Sequence, residues 1–544
     1  MAIAQSTPIR FTPRGLVDAF DATDVFPGAC RRLQNLVFDP SNPELIIARP
    51  GVGSPLTSFA GFTTPGFVSL HVVIGTRVYG MVATGLTAGY DEPFVYDLVS
   101  QSFITVTGVT AGNAEGRPVS PATTGAWTPP TLTVVGIKVI ITHPGYTGTG
   151  SNFFGVIDIT NPAAPAYSTT NTATNGLPAV PTFVANLNNR AYFAVKNQAF
   201  YSDVLAPTVM TNAGQALTLG DSTPITALSG LPVQTTSAGV IGALLAFKGV
   251  QIWQITGDAA VTGSLSLNYV SLNVGTICPR SVVSTPLGVF FAGTDAAYVV
   301  SPYGAVVTLA HQLGSLGAQA DLRGPFNYVL TPSRVAAAFA GSIYRICIPT
   351  IVDGVSGTYD YWFDMRRMRW NGPHTFLYDC ASSTGDAFIL SGINTPSALF
   401  QSVVRPNTNT IYSDNSVDFQ IDMKSSDFPK RDEMAMKQVV ESTIELSASG
   451  TSIPFSIQSF DDKGNFLLSS SVNTIASGNV WGEGLWGAGL WSSVVTQPVT
   501  YTVPWPAPLV FNKIAIEVTA VASSNIAVGT FYARTQRTGY TLQS

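Results

Sequence analysis

The densest set of residues able to do chemistry lies at 359–379, YDYWFDMRRMRWNGPHTFLYD. Asp360, Asp364 and Asp379 supply carboxylates, and cleavage of a glycosidic bond needs two such groups, which distant strands can bring together. In the same stretch Tyr361, Trp362 and Trp370 accompany Arg366, Arg367 and Arg369, a combination suited to stacking on sugars or on unpaired bases. The plainer reading is structural. YDYWFDM forms a strand, RRM its turn, and RWNG starts the next strand with Trp370 covering a blade edge, so that the three arginines at the turn can face a channel or a neighbouring subunit.

Elsewhere the chemistry is thin. His71, His143, His311 and His374 are each more than 60 residues from the next, and the HExxH, GxSxG, Walker and dinucleotide patterns are absent. Asp295 in GTDAAYVV reads as the cap of its own turn, and His143, before Pro144 and Gly145, as a turn residue. A calcium loop needs several oxygens at close alternate positions, and DDKG (461–464) and GDST (220–223) supply too few. Cys30, Cys278, Cys347 and Cys380 lack both metal-ligand spacing and the density of a disulfide scaffold, and Cys347 in YRICIP reads as a small buried hydrophobe. The residues therefore predict no enzyme, no catalytic or metal centre and no cofactor.

The composition says what must hold any such site. Charged residues are 11% of 544, hydrophobic ones 45%, with 50 Gly and 36 Pro, which suits many short strands joined by turns and argues against coiled coils and disorder. A formal net charge of -5 without a Lys/Arg cluster argues against specific DNA readout. A chain so poor in Lys, Glu and Arg fits a surface partly buried against identical or partner subunits. The N-terminus lacks an apolar signal core, and no run of about 18 apolar residues follows.

From about 30 to 415 short apolar runs alternate with Gly, Pro, Asn and Asp. Runs such as GALLAFKGVQIWQITGD (242–258), GVFFAGTDAAYVVSPYG (288–304) and VAAAFAGSIYRICIP (335–349) each read as two strands, with turns near Lys248 and Gly249 and near Gly293 to Asp295. Their recurrence fits radial blades. YSD at 201–203 and again at 412–414 looks like a blade repeat. After a charged stretch at 422–446 the alternation changes, and in KIAIEV Ile514, Ile516 and Val518 should share one strand face. The expected fold is all-β: an N-terminal arm at 1–30, an irregular β-propeller at 31–415 and an additional antiparallel β-sandwich at 416–544.

Five segments, in order, resemble the tail nozzle or head-to-tail hub proteins of short-tailed bacteriophages, the group of tail tubular protein B and the P22-type DNA stabilisation protein. They are ACRRLQNLVFDPSNPELIIARPG (29–51) with its Arg49-Pro50-Gly51 turn, FKGVQIWQITGD (247–258) around Trp253, VGTICPRSVVSTPLGVFFAGTDAAYVVSPYG (274–304), KSSDFPKRDEMAMKQVVESTIEL (424–446) and YARTQRTG (532–539). The resemblance implies a structural virion subunit in the tail, six copies forming a ring below portal and adaptor proteins. Such a ring would retain packaged double-stranded DNA, pass it during ejection, carry fibres or spikes and touch the host envelope transiently. An adhesive or carbohydrate-binding tail protein is the alternative. In NVWGEGLWGAGLWSS (479–493), Trp481, Trp486 and Trp491 offer large amphipathic faces on a backbone that glycine lets turn sharply. They are expected to anchor an interface, with intrachain packing or membrane insertion as rivals.

Overall fold

The computed structural model describes residues 7–540 except 19–27, 43, 60–64, 85–89, 110–115, 120–127, 149–151, 171–175, 213, 237–238, 260–263, 311–320, 353, 394–397, 406–409, 430–434, 449–451 and 475–497. Trp481, Trp486 and Trp491 thus lie outside the described residues, as does His311. Among the described residues the fold is all-β apart from one four-residue helix, Gly324–Asn327, and two short 3-10 turns. Among the same residues no helix is long and apolar enough to cross a membrane.

The chain forms two compact units, one of residues 55–358 and 377–401, the other of 1–54, 359–376 and 402–544. This division is discontinuous, unlike the three consecutive segments expected. Residues 31–54, 359–376 and 402–415 belong with the C-terminal unit rather than the propeller. The expected arm is no arm either, because Thr7–Phe11 pairs along Ile526–Tyr540 as a sheet strand.

The larger unit is a β-propeller with six four-stranded blades. Their inner strands are Pro65–Ile74, Thr131–Val135, Phe183–Leu187, Ala227–Thr236, Val283–Thr285 and Tyr378–Thr384. Between the last two of these, the strand Ala336–Ala340 of a hairpin with Ile343–Val352 fills a further radial position. Turn chemistry sets the hairpins. Asn188 and Asn189 both take positive φ, 52° and 58°, the geometry of a two-residue turn that matches strand twist. The turns expected near Lys248 and near Gly293 to Asp295 lie between Gly239–Phe247 and Ile252–Thr256, and between Gly288–Ala292 and Ala297–Val300. Asp295, expected to cap its turn, instead accepts the Tyr298 hydroxyl at 2.7 Å.

Apolar wedges between neighbouring blades hold this ring. Val139 and Ile141 meet Tyr79 and Val95, Val184 and Phe193 meet Ile140 and Phe154, Leu244 and Trp253 meet Leu187 and Tyr192, and Phe291 meets Phe247. Each such side chain contributes about 1.5–3 kcal/mol when fully buried. The ends of the ring join twice over. Ile389 and Leu399 of the last blade pack on Phe59, Val78 and Phe94, and the early strand Thr57–Ser58 pairs with Ala398–Val403 as that blade's fourth strand.

The smaller unit is the additional antiparallel sandwich. One sheet carries Ala435–Ala448, Ile526–Tyr540, Ile46–Ala48 and Leu36–Phe38, and the other Arg369–His374, Ala29–Gln34, Val417–Ser425, Ile514–Ala522, Pro454–Asp461 and Phe466–Asn473. Ile514, Ile516 and Val518 are buried together as the alternation requires. Arg49 of the Arg-Pro-Gly turn is fully buried and bidentate on Asp414, with Nη1 to Oδ1 at 3.0 Å and Nη2 on Oδ2. Its Nε donates to Asn35 Oδ1 at 2.9 Å, and its guanidinium lies 4.4 Å from the Phe419 ring centre. The two YSD copies are accordingly unrelated: Asp414 neutralises Arg49 in the sandwich, whereas Asp203 accepts Gln215 Nε2 at 2.8 Å in a blade turn.

Truncating one partner of a buried ion pair strands the other. Arg49→Met is expected to destabilise the sandwich unit by about 3 kcal/mol or more, read as an early transition in calorimetry; an unchanged melting profile would contradict the role of this pair.

Candidate functional site

The inner strands surround a cavity of about 400 Å³ lined among others by His71, Phe183, Arg280, Ala337, Cys380 and Ser382. A second, of about 410 Å³, lies where loops enter these strands, among Thr128, Pro129, Pro224, Ile277 and Pro332, and shares Phe183 and Pro279 with the first. Proline fixes φ and so stiffens this rim. Polar groups in the deeper cavity come from blades far apart in sequence.

His71, 4% exposed, places Nδ1 2.6 Å from Ser382 Oγ, and no described protein group bonds its Nε2. The Cys380 main-chain carbonyl also faces the ring and favours a proton there. With Ser382 Oγ at Nδ1 and no partner for Nε2 among the described residues, the ring proton is assigned to Nδ1 and Nε2 is an acceptor. Burial first, then the Arg280 charge, pushes the imidazole down to about 3. The ring is thus neutral across the physiological range. The neighbouring Cys380 thiol is pushed up to about 11 by burial, which removes it as a thiolate nucleophile.

Arg280, on the short 3-10 turn Pro279–Ser281, clips the ring from within. Its Nη1 donates to the Asp379 carbonyl at 2.9 Å and its Nη2 to the Ser69 carbonyl, joining the last blade to the first. Burial raises the Asp379 carboxyl, against the opposing pull of Arg280 and Arg334. The nearest Arg334 nitrogen is 3.8 Å from Asp379 Oδ2. A second network begins at Ser69, whose hydroxyl donates to Asp91 Oδ2 at 2.5 Å, and His143 Nε2 meets the same oxygen at 2.9 Å. Gly145 N–H donates to His143 Nδ1 at 2.9 Å, so the ring proton sits on Nε2. Aspartate, not histidine, occupies the middle of this trio. The serine is therefore not activated as in a catalytic triad, and His143 is a buried anchor of its turn.

The residues singled out from the sequence do not converge. Asp360 accepts Trp362 Nε1 at 3.0 Å and Asp364 caps its turn through the Arg366 and Arg367 amides. Both belong to the sandwich unit and Asp379 to the propeller, so they do not form one carboxylate pair within a unit. The hairpin reading of 359–374 is correct, with strands Val355–Asp364 and Arg369–His374, but Trp370 is buried beside Phe363 in the sandwich unit rather than at a blade edge. Trp253 is 6% exposed in the fourth blade, against Tyr269 at 3.8 Å between ring centres, a core contact. Arg366 is exposed, whereas Arg367 and Arg369 are part-buried and line a separate cavity. Asp221 caps Thr223 and pairs with buried Lys248 at 2.8 Å, and Asp461 caps the turn at Lys463 and Asn465. His71, Ser382, Arg280 and Asp91 were not foreseen as a group. The available signal was polar Ser69 and His71, two apart, inside the apolar run FVSLHVVIG (67–75).

No protein-family model and no curated protein matches the chain. Solved structures are similar to it. Puromycin hydrolase is 10% identical with a TM-score of 0.39, over 69% of this chain and 61% of that one. The β-propeller domain of the Trilobed protease from Pyrococcus furiosus is 8% identical with a TM-score of 0.35, over 65% and 99%. The acylaminoacyl peptidase of Pyrococcus horikoshii is 9% identical with a TM-score of 0.34, over 71% and 60%. This chain spans about three-fifths of the length of the first and third. The expectations of a phage tail nozzle or hub subunit and of a chain that is not an enzyme are corrected by these three structures, which are propeller-containing peptidases or a protease's propeller domain and not phage tail proteins. At these identities the shared feature is the propeller, and no activity passes to this chain with it.

A histidine held below its usual range binds protons only when the chain unfolds, so its contribution to stability is present above about pH 6.5 and is lost as the pH falls towards 3. Between pH 7 and 5 this amounts to about 2 kcal/mol. Urea unfolding of the wild type and of His71→Phe should differ in pH dependence by about that amount; parallel profiles would place His71 in water.

Proposed function

We propose that the propeller is a ligand-binding module whose channel takes a small molecule with an apolar body and one hydroxyl or amide N–H. The observation that carries this reading is His71 Nε2, a buried acceptor without a partner among the described residues, on the wall of a 400 Å³ cavity. Leaving such a group unsatisfied costs about 1–3 kcal/mol, a cost that a ligand donor would remove. The volume is within the range of small-molecule sites. Val72, Leu132, Phe183 and Val184 supply apolar wall beside the polar groups of His71, Arg280 and Ser382.

A second reading is hydrolysis at Ser382, favoured by the 2.6 Å contact with His71. It requires the other tautomer, with Nδ1 taking the hydroxyl proton and the oxygen attacking an acyl carbon. An imidazole pushed down to about 3 is a weak base for that step, which ranks this reading below binding.

Screening of hydroxylated and amide-bearing aromatic fragments by ligand-observed NMR is expected to give binders that Ala337→Phe, which fills the channel, abolishes. His71→Phe should weaken them about tenfold. Binding unaffected by either substitution would overturn the proposal. Fluorophosphonate labelling lost in Ser382→Ala would instead support the hydrolytic reading.

A further inference from the structure

The outer cavity, where loops enter the inner strands, holds a polar group that the fold leaves unused. Ser333 lines it from the 3-10 turn Pro332–Arg334, beside the turn Pro279–Ser281. The residue is 6% exposed, and its hydroxyl has no partner among the described residues. The serine of the neighbouring turn is satisfied in full: Ser281 Oγ donates to the Cys278 carbonyl at 2.6 Å and accepts the Ala292 amide at 2.9 Å.

The lining around Ser333 is poor in donors. Pro129, Pro224, Pro279 and Pro332 line the cavity and have no N–H to offer. The Thr182 and Thr226 hydroxyls, also in the lining, donate to the Ala194 and Thr276 carbonyls at 3.2 and 2.5 Å. Ser333 thus presents a directed O–H donor amid apolar wall, and a buried donor left unused costs free energy that an acceptor in the cavity would recover. Phe183, whose ring offers a flat face to an aromatic group, and Pro279 belong to both cavities, so the two adjoin along a common wall. Their polar groups are complementary, because His71 Nε2 calls for a ligand donor and Ser333 for a ligand acceptor.

We infer that the outer cavity is a second subsite of the channel, taking the carbonyl-bearing aromatic end of an elongated aryl amide whose hydroxyl end reaches His71. The inner end rests on the channel reading above; the Ser333 subsite rests on its own unused hydroxyl.

The test is calorimetric titration of the full chain with N-(para-hydroxyphenyl)benzamide and with N-benzyl-para-aminophenol, which keeps the hydroxyl and both rings but lacks the carbonyl. The amide is expected to bind about tenfold more tightly than the amine. Ser333→Ala should remove that difference, leave the affinity for the amine unchanged and not lower the melting temperature, since the hydroxyl bonds nothing in the empty cavity. His71→Phe should weaken both ligands alike. Equal affinity of the two ligands for the wild type, no binding of the amide at millimolar concentration, or a Ser333→Ala variant that melts earlier yet still prefers the amide would each overturn the subsite. Weakening by His71→Phe with indifference to Ser333→Ala overturns the subsite and leaves the channel reading standing. Weakening of the amide by Ser333→Ala with indifference to His71→Phe supports the subsite and removes His71 from the reading.

Discussion

A ring of blades depends on its closure, because every wedge of core between neighbours is strained open if the last blade lets go of the first. Here closure is shared by three devices of different range. Thr57–Ser58 completes the last blade by main-chain pairing, Phe59 and Phe94 pack edge to face at 4.9 Å next to Ile389 and Leu399, and Arg280 reaches across from the fifth blade to the carbonyls of Ser69 and Asp379. A buried guanidinium bonded to carbonyls is expensive in desolvation. Its charge-assisted bonds to the two carbonyls offset part of that cost. The channel chemistry follows from the same clip, since the charge of Arg280 helps keep His71 neutral.

Hairpins and fold class were legible in the sequence because their signals are local. Paired apolar runs with a Gly, Asn or Lys-Gly turn need no knowledge of the rest of the chain, and Ile514, Ile516 and Val518 alternate as read. The domain division was not legible, because the sandwich draws strands from three separate segments. The opening motif ending in Arg49-Pro50-Gly51 was assigned to the propeller, yet Arg49 is matched by Asp414, 365 residues later, and no local pattern announces that pairing. The channel was hidden for the same reason: His71 and Ser382 are 311 residues apart.

The candidate residues failed in an instructive way. Tryptophans and aspartates drew attention because they are chemically rich, but Trp253, Trp370, Asp360 and Asp364 spend that richness on packing and capping. The same stretch nonetheless contributed Arg367 and Arg369 to the lining of a separate cavity. What distinguishes the channel from the structural networks is incomplete satisfaction. Asp91, Arg49 and Lys248 are met by groups of the fold, whereas His71 Nε2 has no partner among the described residues.

The most direct measurement is the protonation state of His71 in solution, from long-range nitrogen–proton NMR correlations of histidine-labelled protein between pH 7 and 4, assigned with His71→Phe. A neutral ring throughout that interval, with the proton on Nδ1 and Nε2 showing the shift of a bare acceptor, is expected from a buried imidazole beside the charge of Arg280. A ring that titrates near 6.5, or carries its proton on Nε2, would contradict the buried, neutral acceptor on which the binding reading rests.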